Sequence, residues 1–463
     1  MRSEIDKENS GKTLLLKETG MQKDFLVTHA QDSDNIADVV QNGLCTGCGT
    51  CVGVCPEAAV TMHVSGALLL PKVREDACTH CRLCLQCCAG YSLDFDELNA
   101  EIFGKRPEDR LIGNFLGCYV GHSTDDGLRL DGSSGGVATQ LLLYAQETGV
   151  INGALVVGMR KDEPLVPEPF IARTREEMVS ASKSKYCPVA TNTAVNKILS
   201  EDGKFAVVGL PCHIHGIRKA ERVSKSVREK IVLHVGLFCG HTVNFAGTEL
   251  LLNKLRIGKN DVARIEYRGC GHPSFMSIQL KNGRTVKFRF NRGWNAYWNV
   301  FSSFLFTPLR CMTCPDQFNE LSDVSLGDAW LPELGHGRLA ESAIITRTPV
   351  AEEMISSMRK SGVLSVRPVP PEKIRQSQSF SLNFKKEQFS ARASVFRVLG
   401  HPTPWLVPEA PDSRLMAFVG AFFSYLSFRV SSSKRLSSVL LYVPLPLFRV
   451  YFGVFKSIYL LSS

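Results

Sequence analysis

The 463-residue sequence predicts an α+β chain: a small cysteine-rich module, then a mixed α/β domain with an antiparallel hairpin part. Three observations predict it. Two cysteine runs stand close together near the N-terminus, Cys45-x-x-Cys48-x-x-Cys51-x-x-x-Cys55 and Cys78-x-x-Cys81-x-x-Cys84-x-x-x-Cys88. Beyond residue 150 the apolar runs ALVVG, FAVVGLP and KIVLHVGLFC alternate with helix-like stretches such as HIHGIRKAERV, which implies a largely parallel sheet covered by helices. From about residue 262 the pattern turns to hairpins, with Asn282-Gly283 as a turn between alternating strands.

Length and 44% hydrophobic content suit about three ordinary globular domains. Sixteen cysteines in mostly metal-type spacing, and an N-terminal stretch that is polar and carries acids, predict a reducing cytoplasm. The net charge of +9 comes mainly from one end. Residues 413–463 hold six Lys or Arg and no Asp or Glu, which leaves the rest at +3 and excludes a broad nucleic-acid face from the expectation.

In chain order, residues 1–40 have mixed charge and no sustained period, and read as a mobile leader. A thiolate every third residue, as in 41–91, cannot line one face of a helix or strand. It does wrap a loop around an iron–sulfur cube, so this segment reads as a ferredoxin-like 4Fe-4S module. In the two-cluster pattern the fourth cysteine of each run serves the other cube. This assigns Cys45, Cys48, Cys51 and Cys88 to one cluster and Cys78, Cys81, Cys84 and Cys55 to the second. Cys87 adjoins Cys88, and spacing does not separate them; Cys88 is the preferred ligand. A structural zinc site would normally pair two Cys-x-x-Cys units instead. Gly47, Gly49 and Gly53 are expected to let backbone N–H groups approach sulfur.

Residues 92–116 read as a linker with one short helix around Phe95 and Leu98. Ser133, Ser134, Gly135 and Gly136 then lead into VATQLLLYAQETG, a helix ended by Gly149. A Gly/Ser loop there is a cap or an anion site. Cys212 and Cys239 follow two of the strands, whose C-terminal ends share one edge in a parallel sheet, and Cys311-x-x-Cys314 lies further on. These four could form a third thiolate site, although buried free cysteines are also common core residues.

The ordered segments SSGGVATQLLLYAQETGVINGALVVG, SKSKYCP, VVGLPCHIHGIRKA, HVGLFCGH, CMTCPDQFNELSDVSLGD and AIITRT resemble the beta-subunit family of coenzyme F-420 hydrogenases and dehydrogenases, to which hydroxymethyl chlorophyll a reductase is related. The resemblance covers about residues 110–350. It implies FAD beside iron–sulfur clusters, a flavin domain whose N-terminal part is 110–250 and whose C-terminal part is 251–365, and a cluster held by Cys212, Cys239, Cys311 and Cys314. It also implies flavin contacts from Ser133 to Gly136, Lys185, Tyr186, Thr346 and Arg347, with His213, His241 and Asp316 as candidate proton donors. Cys118, Cys187 and Cys270 read as structural thiols. The implied partners are a ferredoxin or another one-electron donor and a small-molecule acceptor, which could be a deazaflavin coenzyme or a tetrapyrrole. An aromatic stretch around Trp294, Tyr297 and Trp298 is a candidate acceptor-binding wall.

Residues 366–412 read as a linker. The tail, 413–463, holds eleven of the chain's forty aromatics among basic residues and no acids, which suits either a membrane surface or packing on a protein. Neither of its apolar runs is a clean membrane span: one has about fourteen residues against the roughly 20 required, and the other is broken by Pro444, Pro446 and Arg449.

Overall fold

The computed structural model describes residues 34–269, 274–289, 297–334, 339–403 and 415–461. Trp294 and Cys270, and nearly all of the expected leader, lie outside these residues. An eight-stranded sheet organises the chain. Its strands, in sequence order, are β3 (Gly117–Ser123), β4 (Gly153–Met159), β5 (Pro167–Ala172), β6 (Phe205–Gly209), β7 (Ile231–Leu237), β11 (Val324–Asp328), β12 (Ser342–Thr346) and β13 (Leu364–Pro368). Their spatial order is β13-β3-β12-β11-β7-β6-β4-β5. The remaining strands form a hairpin, β1 (Val60–Ser65) with β2 (Leu68–Val73), and a three-stranded antiparallel sheet, β8 (Val262–Glu266), β9 (Phe275–Leu280) and β10 (Thr285–Arg289).

The sheet is mixed rather than largely parallel. β4, β6, β7 and β11 pair in parallel, while β12, lying between β11 and β3, is antiparallel to both. The reason lies in the connections. Helix-length crossovers such as Pro211–Val223 return the chain for another parallel strand, whereas β12 pairs antiparallel with β11, its predecessor in sequence, with Ser342 opposite Asp328. The core strands bury residues on both faces: Ala206 and Val207, Leu233 and His234, and Ile344 and Ile345 are all buried. β3 and β13 sit in this same sheet, so segments 110–250 and 251–365 share one core.

Two expectations fail. The stretch 366–412 is not a plain linker: it contains helices Pro371–Ser377 and Phe389–Val398, separated by a π-helical turn, Asn383–Glu387, and Phe384, Ala391 and Phe396 are buried. Gly53 serves packing rather than sulfur, because a Cβ there would stand 2.1 Å from the Asn192 carbonyl oxygen. Gly47, by contrast, has φ +70° and donates its N–H to Cys45 Sγ at 3.3 Å.

A buried ionic cluster pins β7 to β11 and to helix Pro211–Val223. Asp323 Oδ2 accepts from the His234 backbone N–H at 2.7 Å and lies 2.9 Å from His234 Nδ1; Glu221 is 2.7 Å from Nε2. Arg218 reaches both carboxylates, at 2.8 and 3.1 Å. Burial opposes charge on His234, and so does Arg218, but Glu221 and Asp323 outweigh them and raise its pKa; both carboxyls are held low. The raised histidine contributes stability that is complete below about pH 6.5 and is lost as pH rises through its folded value. The depressed carboxyls contribute stability above about pH 4 that is lost as pH falls. A melting-temperature profile is therefore expected to peak between these limits, with His234→Gln flattening its alkaline limb. An unchanged limb would remove His234 from the account.

Candidate functional site

All the parallel strands end at one edge, and β12 begins there. At this edge stand Leu210, Pro211 and Cys212 after β6, Phe238 and Cys239 after β7, Asp328 at the end of β11 and Ser342 at the start of β12. Gly209 carries the chain into helix Pro211–Val223, with Pro211 preset for the first helical turn.

Cys212 is half-buried and its neighbours include Cys239, Cys311 and Cys314; desolvation first, then repulsion from Cys48 and from these thiolates, raises its pKa well above normal. Cys239 is pushed up to about 12 by burial, against the opposing pull of Lys385. The structure thus brings together the four cysteines that spacing could only group by conjecture. It adds Lys385, which the sequence reasoning missed because residue 385 lay in the supposed linker. Lys385 is 1% exposed and comes from the π-helical turn; burial opposes its charge, but Cys314, Cys239 and Cys311 hold its pKa up. A buried cation with no carboxylate among its main influences, facing a set of thiols, is a donor set suited to a cluster of net negative charge.

In the N-terminal module, Cys45 and Cys51 are both raised by burial and by the Cys48 and Cys88 thiolates. Cys55, Cys78, Cys81 and Cys84 line one cavity with His80 and Arg82. Cys88 therefore lies with the Cys45 run and Cys55 with the second run. Cys87 has 0% exposure and packs with Leu93, Leu98 and Ile198 in the apolar core. Among the described residues no three His, Cys, Asp or Glu side chains form a group placed to hold a single metal ion. Burial and mutual repulsion hold these groups towards the neutral thiol, and their spacing along the chain is that of ligands to a cube-shaped cluster.

The module docks closely on the sheet edge. Asn192 Nδ2 donates to Thr50 Oγ1 and to the His213 carbonyl, both at 2.8 Å, and Thr50 Oγ1 is 3.2 Å from Cys48 Sγ. A Cβ at Gly216 would stand 2.1 Å from Thr50 Oγ1, so only glycine allows this approach. Lys219, on the same helix, donates to the Cys88 carbonyl at 2.7 Å. One helix therefore carries Cys212 at its start and grips the module along its length.

The expected proton donors have structural partners. His213 Nδ1 accepts from the Leu210 N–H at 3.1 Å and Nε2 is 3.1 Å from the Val189 carbonyl, so both nitrogens brace the strand-to-helix turn. Asp316 has 0% exposure, pairs with His215 Nε2 at 2.8 Å and accepts from the Glu320 N–H. His241 stacks on Phe301 at 3.9 Å, and its Nδ1 lies 3.3 Å from the Thr242 carbonyl.

The expected flavin residues divide into two places. Ser134 Oγ donates to the Glu341 carbonyl at 3.0 Å, Gly135 N–H donates to Ser342 Oγ at 2.9 Å, and Ser133 Oγ accepts from the Ser184 N–H at 2.8 Å. Gly136, φ +73°, then starts helix Val137–Glu147. The hydroxyls hold the loop itself, which leaves backbone N–H groups at the helix start for an anion. Lys185 donates to the Ser182 carbonyl at 2.8 Å, and Tyr186 packs edge-on against Phe301. Thr346 and Arg347 are not at this edge. They follow Ser342 by four and five strand residues, roughly 13 Å or more, and Arg347 donates to the Phe318 carbonyl and Ser325 Oγ as a core brace.

Arg268 is the residue that joins the parts, and no motif signalled it. It sits just beyond β8, binds both Asp328 carboxylate oxygens at 2.7 and 3.0 Å, and donates to the Ser133 carbonyl at 2.7 Å. Beside it is a cleft of about 280 Å³ lined by Asp328, Trp330, Leu331, Leu334 and Glu341, with Trp298 edge-on to Trp330 at 5.6 Å.

Residues 118–196 match the N-terminal part, and residues 202–372 the C-terminal part, of the family described as coenzyme F420 hydrogenase/dehydrogenase, beta subunit. The chain belongs to this family. Residues 39–61 also match a 4Fe-4S binding domain. Coenzyme F420 hydrogenase subunit beta of Methanothermobacter thermautotrophicus is 27% identical over 301 residues, 64% of this chain and all of that one. The coenzyme F420-dependent sulfite reductase of Methanocaldococcus jannaschii is 28% identical over 76% of this chain, which spans about half the length of that relative. A chain of the F420-reducing [NiFe] hydrogenase complex from Methanosarcina barkeri superimposes with a TM-score of 0.50 at 23% identity, over 65% of this chain and 99% of that one, a likeness of fold. Family and module together make the protein an iron–sulfur oxidoreductase with an electron-transfer role.

Proposed function

We propose that the chain is an FAD- and 4Fe-4S-dependent reductase that takes electrons singly from a donor such as a ferredoxin and delivers them in pairs to an organic acceptor, with a deazaflavin coenzyme as the first acceptor to test. The observation that carries the reading is the neighbourhood of Cys48 and Cys212, which sets the N-terminal thiol group against the strand-edge group. In this reading Cys45, Cys48, Cys51 and Cys88 hold one cluster, Cys55, Cys78, Cys81 and Cys84 a second, and Cys212, Cys239, Cys311 and Cys314 a third. Clusters supply one-electron transfer, and FAD supplies the exchange between one and two electrons.

The chain's own part is positioning. Asn192 and Lys219 hold the N-terminal module on the helix that starts at Cys212, Lys385 offsets thiolate charge, and Arg268 fixes the Ser133–Gly136 loop against Asp328. The helix-start N–H groups are the contact for a pyrophosphate, and the Trp298–Trp330 wall suits a flat ring. A second reading, an electron-transfer subunit without its own substrate, is favoured by relatives named as subunits.

Anaerobic purification followed by iron, sulfide and flavin determination tests the cofactors. About twelve irons and one FAD per chain are expected at four irons per cluster; zinc without sulfide would sink the redox reading. Reduction of a deazaflavin by the isolated chain with reduced ferredoxin separates the two functions, since a pure relay subunit would show none.

A further inference from the structure

We propose that the C-terminal helices form a docking face for an anionic lipid surface. The inference stands on the tail alone and is independent of the redox assignment. Helix Leu415–Ser432 is amphipathic in the inverted sense. Its buried side is mostly small and hydroxylated, with Ala417, Gly420, Ala421, Ser424, Ser427 and Ser431 turned inward beside one aromatic, Phe428, while Leu415, Phe418, Phe422 and Leu426 face outward. The inward hydroxyls are satisfied within the helix: Ser424 Oγ donates to the Gly420 carbonyl at 2.9 Å and Ser431 Oγ to the Ser427 carbonyl at 2.8 Å. Water selects the opposite arrangement; small inward faces with apolar outward faces are the pattern of helices whose surroundings are lipid.

The last helix shares the exposed apolar side, although its inward side is aromatic. In Leu445–Leu461, Phe448 and Phe455 are buried, while Leu447, Val450 and Val454 are exposed at the same helical spacing. Tyr442, between the helices, is 83% exposed. Eleven of the nineteen exposed large apolar side chains of the described residues lie between Leu415 and Val454, so the surface is a concentrated patch rather than ordinary scatter.

Charge selects the occupant. Residues 413–463 have six basic residues and no acid, and Arg429, Arg435 and Lys456 are exposed. A protein partner would meet such a patch with its own carboxylates at defined points, whereas an anionic bilayer meets scattered cations and apolar side chains together at the headgroup boundary. Helix Leu415–Ser432 has the length and composition of a membrane span, but its inward face is packed on helix Phe389–Val398, which favours lying on the surface over crossing.

The test is co-sedimentation of the full-length protein with vesicles of phosphatidylglycerol and phosphatidylcholine, compared with phosphatidylcholine alone. At least tenfold more protein is expected on the anionic vesicles, with the excess falling as salt is raised. Phe418→Ser/Phe422→Ser/Leu426→Ser removes exposed side chains only, and is expected to abolish sedimentation while leaving the circular dichroism melt unchanged. Arg429→Glu/Arg435→Glu is expected to remove the preference for anionic lipid. Equal partition to both vesicles, or anionic binding that survives the triple substitution, overturns the proposal. So does a stable dimer that the triple substitution dissociates in the absence of vesicle binding, which would assign the face to a second copy of the chain.

Discussion

Cys311→Ser is expected to lower the iron content by about four per chain, from about twelve to about eight, at four irons per cluster, and to abolish transfer to the organic acceptor while leaving the two N-terminal clusters in place. Serine keeps the volume but is a poor ligand for iron held among thiolates. Cys311 is half-buried beside Cys314 and Lys385; desolvation raises its pKa, while Lys385 and the Thr242 backbone N–H favour its thiolate. The measurement is iron analysis with low-temperature electron paramagnetic resonance of the dithionite-reduced protein. Loss of one signal set with retention of the coupled N-terminal pair is the expected result. Unchanged iron would remove Cys311 from the ligand set, and loss of all iron would mean that the four thiols hold the fold rather than a separable cluster. Cys87→Ser is the matched control: Cys87 lies in the apolar core with Leu93 and Leu98, so it is expected to retain the iron and melt a few degrees lower.

Arg268→Leu is expected to destabilise the protein by about 3–5 kcal/mol, the usual cost of removing one member of a buried ion pair, and to lower bound flavin. The guanidinium holds both oxygens of Asp328 and the Ser133 carbonyl. Its removal leaves a carboxylate that is largely shielded from water and frees the loop that precedes helix Val137–Glu147. Arg268→Lys is not expected to rescue, because one ammonium cannot reproduce the two-pronged contact with the carboxylate. Urea denaturation and flavin content of the purified variants provide the readout. Loss of stability with full flavin would make Arg268 a purely structural brace, and no change in either would contradict the contact itself.

Much of the site was legible because its chemistry is local in sequence. Three thiolates at three-residue intervals leave a loop around a cluster as the best geometric solution, so the Cys45–Cys51 and Cys78–Cys84 runs announced themselves. The strands were legible for a similar reason: FAVVG, IVLHVGL and SAIIT are short, mostly apolar runs, the second interrupted by His234, and each forms a central strand of the sheet. Less was legible where a role depends on what a side chain meets. His213 and Asp316 stood in the right motifs, yet their polar atoms are engaged by the Leu210 N–H, the Val189 carbonyl and His215. Thr346 and Arg347 belonged to the right strand but to its far end. Lys385 and Arg268 lay in no motif, since one buried cation looks like any other lysine or arginine until the fold removes water from around it.

The sequence by itself determined the redox class of this protein, the presence of an N-terminal iron–sulfur module and the family of the domain behind it, because ligand spacing and ordered motifs survive without knowledge of the fold. Only the tertiary structure decided which cysteine of the Cys87–Cys88 pair lies with the Cys45 run, that Cys48 lies beside Cys212, and that helix Leu415–Ser432 turns its serines inward and Phe418, Phe422 and Leu426 out. The physical reason is the same in each case. Spacing along a chain dictates what a short loop can wrap, whereas contact between residues some 160 positions apart, or the choice of a helix's buried face, is set by close packing, which allows a glycine at Gly216 where any Cβ would strike Thr50.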